Sequence, residues 1–211
     1  MRQRGLWHHV LVAALLGLAI VALIFALARE PAKPQAPEPA LVTRSTDTPS
    51  EQKPNTSTYR WQGAKNDPKF ITIPGIAEGF MQRVGVDQHQ AIAVPSNIHM
   101  AGWFVDSVRP GDKGLSIIDG HVDGPSQPGI FTRLSQAKVD TEFTITLGNG
   151  ETKQFRITRV TSVAAKDAEN ELFSQDPSII RQLNLITCGG NFDKTKRAYD
   201  KRVIVVSEFV Q

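Results

Sequence analysis

One cysteine, Cys188, is found among 211 residues. It closes the run Leu185-Ile186-Thr187-Cys188 and precedes Gly189-Gly190. A residue at a strand end can project into a cleft, and two glycines let a substrate backbone approach closely. A lone thiol is either a small buried hydrophobe or a nucleophile, and a nucleophile needs a base to make its thiolate. Five histidines are available. His8 and His9 precede a long apolar run, His89 lies in the polar stretch Asp87-Gln88-His89-Gln90, and His99 is near Met100 and Trp103. His121 follows a buried-type strand in a glycine-flanked turn, Asp119-Gly120-His121-Val122-Asp123-Gly124. It is a second polar residue at a strand end, and the competing reading is a turn histidine bonded to Asp119 or Asp123. Acyl transfer also needs a cation or dipole for the developing oxyanion. Arg197 and Arg202 follow the cysteine, and Arg202 opens the apolar run Val203–Val206. A strand there, beside the cysteine strand, would lay the guanidinium across the mouth of the same cleft. The alternative for the run 194–202 is a solvated basic loop.

The elements that must position these residues read as strands. Phe70–Ile76 alternates and breaks at Pro74-Gly75, and Leu115–Gly120 ends at glycine. Glu142–Leu147 alternates, meets Gly148-Asn149-Gly150, and resumes as Gln154–Val160, a hairpin signal. Asn184–Thr187 and Val203–Val206 are further strands. The best helix signal is Asp176-Pro177 ahead of Ile179, Ile180 and Leu183. Short strands spaced by turns over about 140 residues indicate an all-β barrel or sandwich. No internal repeat or glycine-rich phosphate loop is present.

Four segments follow from composition: a tail, 1–9; an uncharged apolar run, 10–28; a Pro-rich spacer, 29–67; and a β-rich domain, 68–211. As a helix the apolar run would span roughly 28 Å, close to a bilayer core of ~30 Å. Arg2 and Arg4 before it favour a cytoplasmic N-terminus. The run is longer than the hydrophobic region of a signal peptide, so a retained anchor is favoured, although Ala26-Leu27-Ala28 fits a cleavage pattern. Both readings export the domain. The spacer, fully extended, would reach roughly 110 Å at ~3 Å per residue.

The formal charge is +3, but residues 1–69 hold nine Lys/Arg against five Asp/Glu, leaving the domain close to neutral. A nucleic-acid binder would carry its basic face on the fold. A single cysteine excludes an intramolecular disulfide and a Cys-rich zinc site.

Together these fragments resemble the sortase family. Leu185-Ile186-Thr187-Cys188 matches its Leu-x-Thr-Cys signature, with an arginine starting the next strand and Gly120-His121 after a strand upstream. Gly-His-Val-Asp at 120–123, Cys-Gly-Gly-Asn-Phe-Asp at 188–193, and Gly102-Trp103 with Pro110-Gly111 and Gly114 are similar to class F sortases of actinobacteria and related Gram-positive bacteria. The Ile71–Ile76 and Val84–Asp87 segments are similar to that family's first strands. The resemblance covers roughly 68–211. It implies an eight-stranded β-barrel with one or two short helices.

It also implies Cys188 as thioester nucleophile, His121 as acid/base partner and Arg202 as oxyanion stabiliser. Many class F relatives read Tyr-Arg-Asp-Asn where this chain has Tyr199-Asp200-Lys201-Arg202, so Arg197 is the fallback. The implied reaction is transpeptidation. A Leu-Pro-x-Thr-Gly-like sorting signal on an exported protein is cleaved at Thr-Gly, and the acyl group passes to an amine such as a peptidoglycan precursor or a pilin lysine. No cofactor or metal is implied, and no acidic cluster supports a calcium site. The alternatives are a cysteine peptidase with water as acceptor and a non-catalytic wall-binding β-domain.

Overall fold

The structure is a computed structural model that describes residues 40–46 and 48–210. The apolar run 10–28 lies outside the described residues, and among those described no helix is long and apolar enough to cross a membrane.

Alternation of apolar and polar residues builds the strands. They are β1 (Leu41–Val42), β2 (Pro68–Ile73), β3 (Ala77–Val84), β4 (Ala101–Phe104), β5 (Gly114–Gly120), β6 (Glu142–Leu147), β7 (Thr152–Ala164), β8 (Arg181–Asp193) and β9 (Ala198–Phe209). β6 and β7 form the antiparallel hairpin expected around Gly148-Asn149-Gly150, and Gly150 takes a φ of +87° that favours glycine. The strand order β3-β2-β6-β7-β9-β8-β5-β4 closes through a parallel β3–β4 pairing, giving an eight-stranded barrel. Closure leaves no open sheet edge among these eight. The two-residue β1 adds in parallel to β3.

Two apolar clusters explain the continuous apolar runs in β5, β8 and β9. Ile118, Leu183, Leu185, Val203 and Val205 point into the barrel with Ile71, Phe131, Phe143 and Phe155. Ile117, Ile186, Ile204 and Val206 alternate to the outer face and pack with Val84, Phe104 and Leu172. These three strands are therefore covered on both faces, and the outer cover includes a short α-helix, α1 (Ala168–Leu172).

The helix expected after Asp176 does not form. Asp176 Oδ1 accepts the Ser178 amide at 2.9 Å, but the chain makes only a turn there. It then enters β8 at Arg181, which pairs with Gly114 of β5. Strand pairing overrides the local helix signal, and the intended apolar face is split. Ile179 packs in the outer cluster, Ile180 is 67% exposed, and Leu183 faces the barrel interior.

The described residues among 43–67 form no named strand or helix, yet several of them lie against the barrel. Ser50 exchanges backbone hydrogen bonds with Ser96 and Ile98 at 2.8 and 3.0 Å. The Trp61 indole N–H donates to the Met81 carbonyl at 3.1 Å. Tyr59 packs on Phe80 with ring centroids 4.5 Å apart. Asp67, 3% exposed, is 3.3 Å from Arg109 Nε and 3.7 Å from Arg83 Nε.

Candidate active site

The site grows from the outer face of β5, β8 and β9. Alternation along β8 sends Asn184, Ile186 and Cys188 outward, and Cys188 pairs directly with Arg202 of β9. Antiparallel partners project to the same side, so thiol and guanidinium share a face. β5 lies on the other side of β8 in parallel register, with Asp119 opposite Ile186. Thr187 Oγ1 donates to the Gly120 carbonyl at 2.7 Å. That bond ties the end of β5, after which His121 follows, to β8 beside Cys188; the cysteine lies within its strand and not at its end as expected, since β8 runs on to Asp193, and Arg202 likewise lies inside β9, which begins at Ala198. Arg197 lies in the exposed turn joining β8 to β9, with a φ of +50°, and is not part of this arrangement.

His121 is bonded to neither Asp119 nor Asp123. Its Nε2 lies 2.7 Å from the Pro95 carbonyl oxygen. A carbonyl only accepts, so Nε2 carries a proton and Nδ1 is the basic nitrogen of the neutral ring. Burial pushes the imidazole below its ordinary value, against the opposing pull of the Pro95 bond and Asp123. Burial pushes the Cys188 thiol up, and Asp123 and Asp119 add to this while the Arg202 charge opposes it. Both shifts favour a resting pair of neutral thiol and neutral imidazole.

Arg202 is half-buried, and its Nη1 donates to the Tyr199 and Lys201 carbonyls at 3.1 and 2.8 Å. These bonds fix the guanidinium beside the cysteine. Tyr199 donates its hydroxyl to Asp123, joining the β8–β9 arm to the histidine loop, and its own ionisation is pushed up to about 12 mainly by burial. The same loop is held from outside the barrel. Glu51 accepts the amides of Ser126 and Gln127 at 2.8 and 3.1 Å and the Ser126 hydroxyl. Glu51, Tyr199 and the Pro95 carbonyl were not singled out by sequence reasoning. Each acts on its partner across a gap of 26 to 76 residues that no local pattern marks.

Cys188 lines two cavities. One, of about 690 Å³, is rich in hydroxyl groups from Thr132, Ser135, Thr161 and Ser162 and also includes Asp123 and Lys201. The other, of about 450 Å³, is walled by Ile92, Phe104, Leu172, Phe173 and Ile186, with Asp119 and Arg202. Neither is lined by His121 itself, although its neighbours Gly120 and Val122 border one each. His89 sits exposed at the apolar cavity, His99 bonds the Glu51 carbonyl at 3.1 Å, and His8 and His9 lie outside the described residues. Gly190 has a structural reason of its own. It sits at a bulge with φ +79°, where a Cβ would overlap the Asp200 carboxylate.

The fold has counterparts among known proteins. No curated protein matches the chain. Among solved structures, sortase A from Corynebacterium diphtheriae aligns with a TM-score of 0.51 and 22% identity, covering 71% of this chain and 63% of that one. Its lid mutant gives 0.53 and 23%, covering 71% and 73%. The lid mutant of Streptococcus agalactiae sortase C1 gives 0.50 and 16%, covering 70% and 71%. These likenesses concern the fold. A family model for the sortase domain matches residues 71–210. The chain belongs to the sortase family, whose members are cysteine transpeptidases.

Proposed function

We propose that the protein is a membrane-anchored transpeptidase of class F type, in which Cys188 attacks the Thr-Gly carbonyl of a Leu-Pro-x-Thr-Gly-like signal. The observation that carries this reading is the pairing of Cys188 with Arg202 beside the strand end that delivers His121. Cys188 first passes its proton to His121 Nδ1; attack by the thiolate then forms the carbon–sulfur bond, and the carbonyl electrons move to oxygen beside the Arg202 guanidinium. Collapse breaks the Thr–Gly bond, and the His121 imidazolium gives its proton to the departing glycine amine. An acceptor amine then attacks the thioester, loses its proton to His121 and releases the thiolate. The apolar cavity suits the acyl-donor peptide, and the hydroxyl-rich one suits the acceptor. Val10–Ala28 would hold the N-terminus in the cytoplasm and the barrel outside, where exported substrates emerge.

The test is cleavage of a fluorogenic Leu-Pro-Ala-Thr-Gly peptide with and without triglycine, followed by mass spectrometry. The expected result is a ligated product that depends on Cys188. An unchanged hydrolysis product in the presence of amine would replace the transferase with a peptidase. Absence of cleavage by the wild type as well as by Cys188→Ala would leave a binding domain.

A further inference from the structure

The apolar cavity contains one group that its surroundings do not explain. Asp119 is only 6% exposed, and its Oδ1 is buried without a hydrogen-bond partner. Such an atom costs roughly 1–3 kcal/mol when nothing meets it, and a valine or leucine would fill the same outward position of β5 at no such cost. The carboxyl group has been given room. Its register partner on β4 is Gly102, where a Cβ would overlap Asp119 Oδ1 and come within 2.9 Å of Val84 and 3.0 Å of Pro95. Asp119 shares the cavity wall with Cys188 and Arg202, and it lies two residues before His121.

We propose that Asp119 is a specificity contact, whose carboxyl group hydrogen-bonds one backbone peptide group of the acyl donor inside this largely apolar trough. The inference rests on the transpeptidase reading above and deepens it. Burial drives the Asp119 carboxyl well above the ordinary carboxylate range, which favours the neutral acid. A neutral acid offers a donor and an acceptor together, and a peptide group offers the complement. An apolar trough alone grips side chains of suitable size. A buried polar group adds rejection of any ligand that leaves it unpaired.

The experiment compares wild type, Asp119→Asn and Asp119→Leu on the fluorogenic Leu-Pro-Ala-Thr-Gly peptide and on analogues with one backbone amide at a time replaced by an ester. Asp119→Leu should raise KM about tenfold with kcat little changed, as expected for lost binding. Asp119→Asn, which keeps a donor and an acceptor, should recover most of that loss. One ester position should cost wild type about tenfold in kcat/KM and cost Asp119→Leu less than about twofold, the coupling expected of a direct contact. Labelling of Cys188 by a methanethiosulfonate reagent should change by less than about twofold in either variant.

Unchanged kinetics in Asp119→Leu overturn the proposal. So does equal damage from Asn and Leu, which points to a charged or purely steric role. A labelling rate that falls in step with kcat/KM assigns Asp119 to the thiol and not to the peptide, and also overturns it. The ester series in wild type stands independently of whether Asp119→Leu folds, and its failure to single out any amide overturns the contact. A wild-type protein that is labelled but cleaves no peptide removes the transpeptidase reading itself. Wild-type cleavage with an indifferent Asp119→Leu removes this inference alone.

Discussion

Cys188 and His121 are displaced in opposite directions, and the sign of each shift sets the pH behaviour. The imidazole is lowered from about 6.5 and the thiol raised from about 8.5. The reactive form needs thiolate with imidazolium, so kcat/KM should climb with pH until His121 deprotonates, stay level, and fall once Cys188 ionises freely. The measurement is kcat/KM across pH 5 to 10, and a narrow bell with limbs less than about two units apart would contradict the assignment. Arg202→Ala should lower kcat by roughly 10²–10³ with a smaller change in KM, as for loss of an oxyanion donor. A change confined to KM would assign the arginine to binding. Asp119 adds a stability signature. An acid with a raised folded value holds its proton longer folded than unfolded. Its contribution is complete below the unfolded carboxylate value and is lost as pH climbs through the folded one. Asp119→Asn should therefore raise the thermal midpoint more at pH 8 than at pH 4, read by calorimetry.

At the level of elements, legibility in the sequence followed pattern strength. The β6–β7 hairpin is readable because alternation and a glycine turn are local signals, and β5 and the Val203–Val206 part of β9 because short apolar runs bounded by polar residues or glycine are. β3 is not, because Glu78-Gly79 and Gln82-Arg83 interrupt its apolar residues. β4 is four residues long, too short for a periodicity to declare itself. No helix forms after Asp176 because β8 recruits the chain at Arg181, whereas α1 forms over Ala168–Leu172 with only Ala168 and Leu172 buried. The candidate site residues Cys188, His121 and Arg202 are accessible in the sequence as polar residues bordering apolar runs, but the supports around them depend on tertiary contacts. Two substitutions probe those supports. Gly102→Ala should destabilise by about 1–3 kcal/mol through overpacking against Val84, Pro95 and Asp119, measured by urea unfolding. Glu51→Ala should speed hydrogen exchange at the Ser126 and Gln127 amides, because those amides lose their acceptor. Unaltered protection there would show that the loop is held by other contacts.

For the molecule as a whole, closure of the barrel through β3 and β4 is complete within the domain. A chain beginning at residue 40 should unfold cooperatively with the thermal midpoint of the full-length protein, checked by calorimetry. A large drop would show that earlier residues contribute to the fold. The parallel addition of β1 and the Ser50 and Trp61 contacts bear on working distance. Docking of the polypeptide against the barrel from Leu41 onward takes most of the 29–67 spacer out of the ~110 Å reach of an entirely loose leash. Energy transfer from a dye on the barrel to labelled lipids would read that radius. In the membrane-anchored transpeptidase proposed above, a leash shortened in this way would keep the site within a narrow layer above the bilayer, where exported tails emerge.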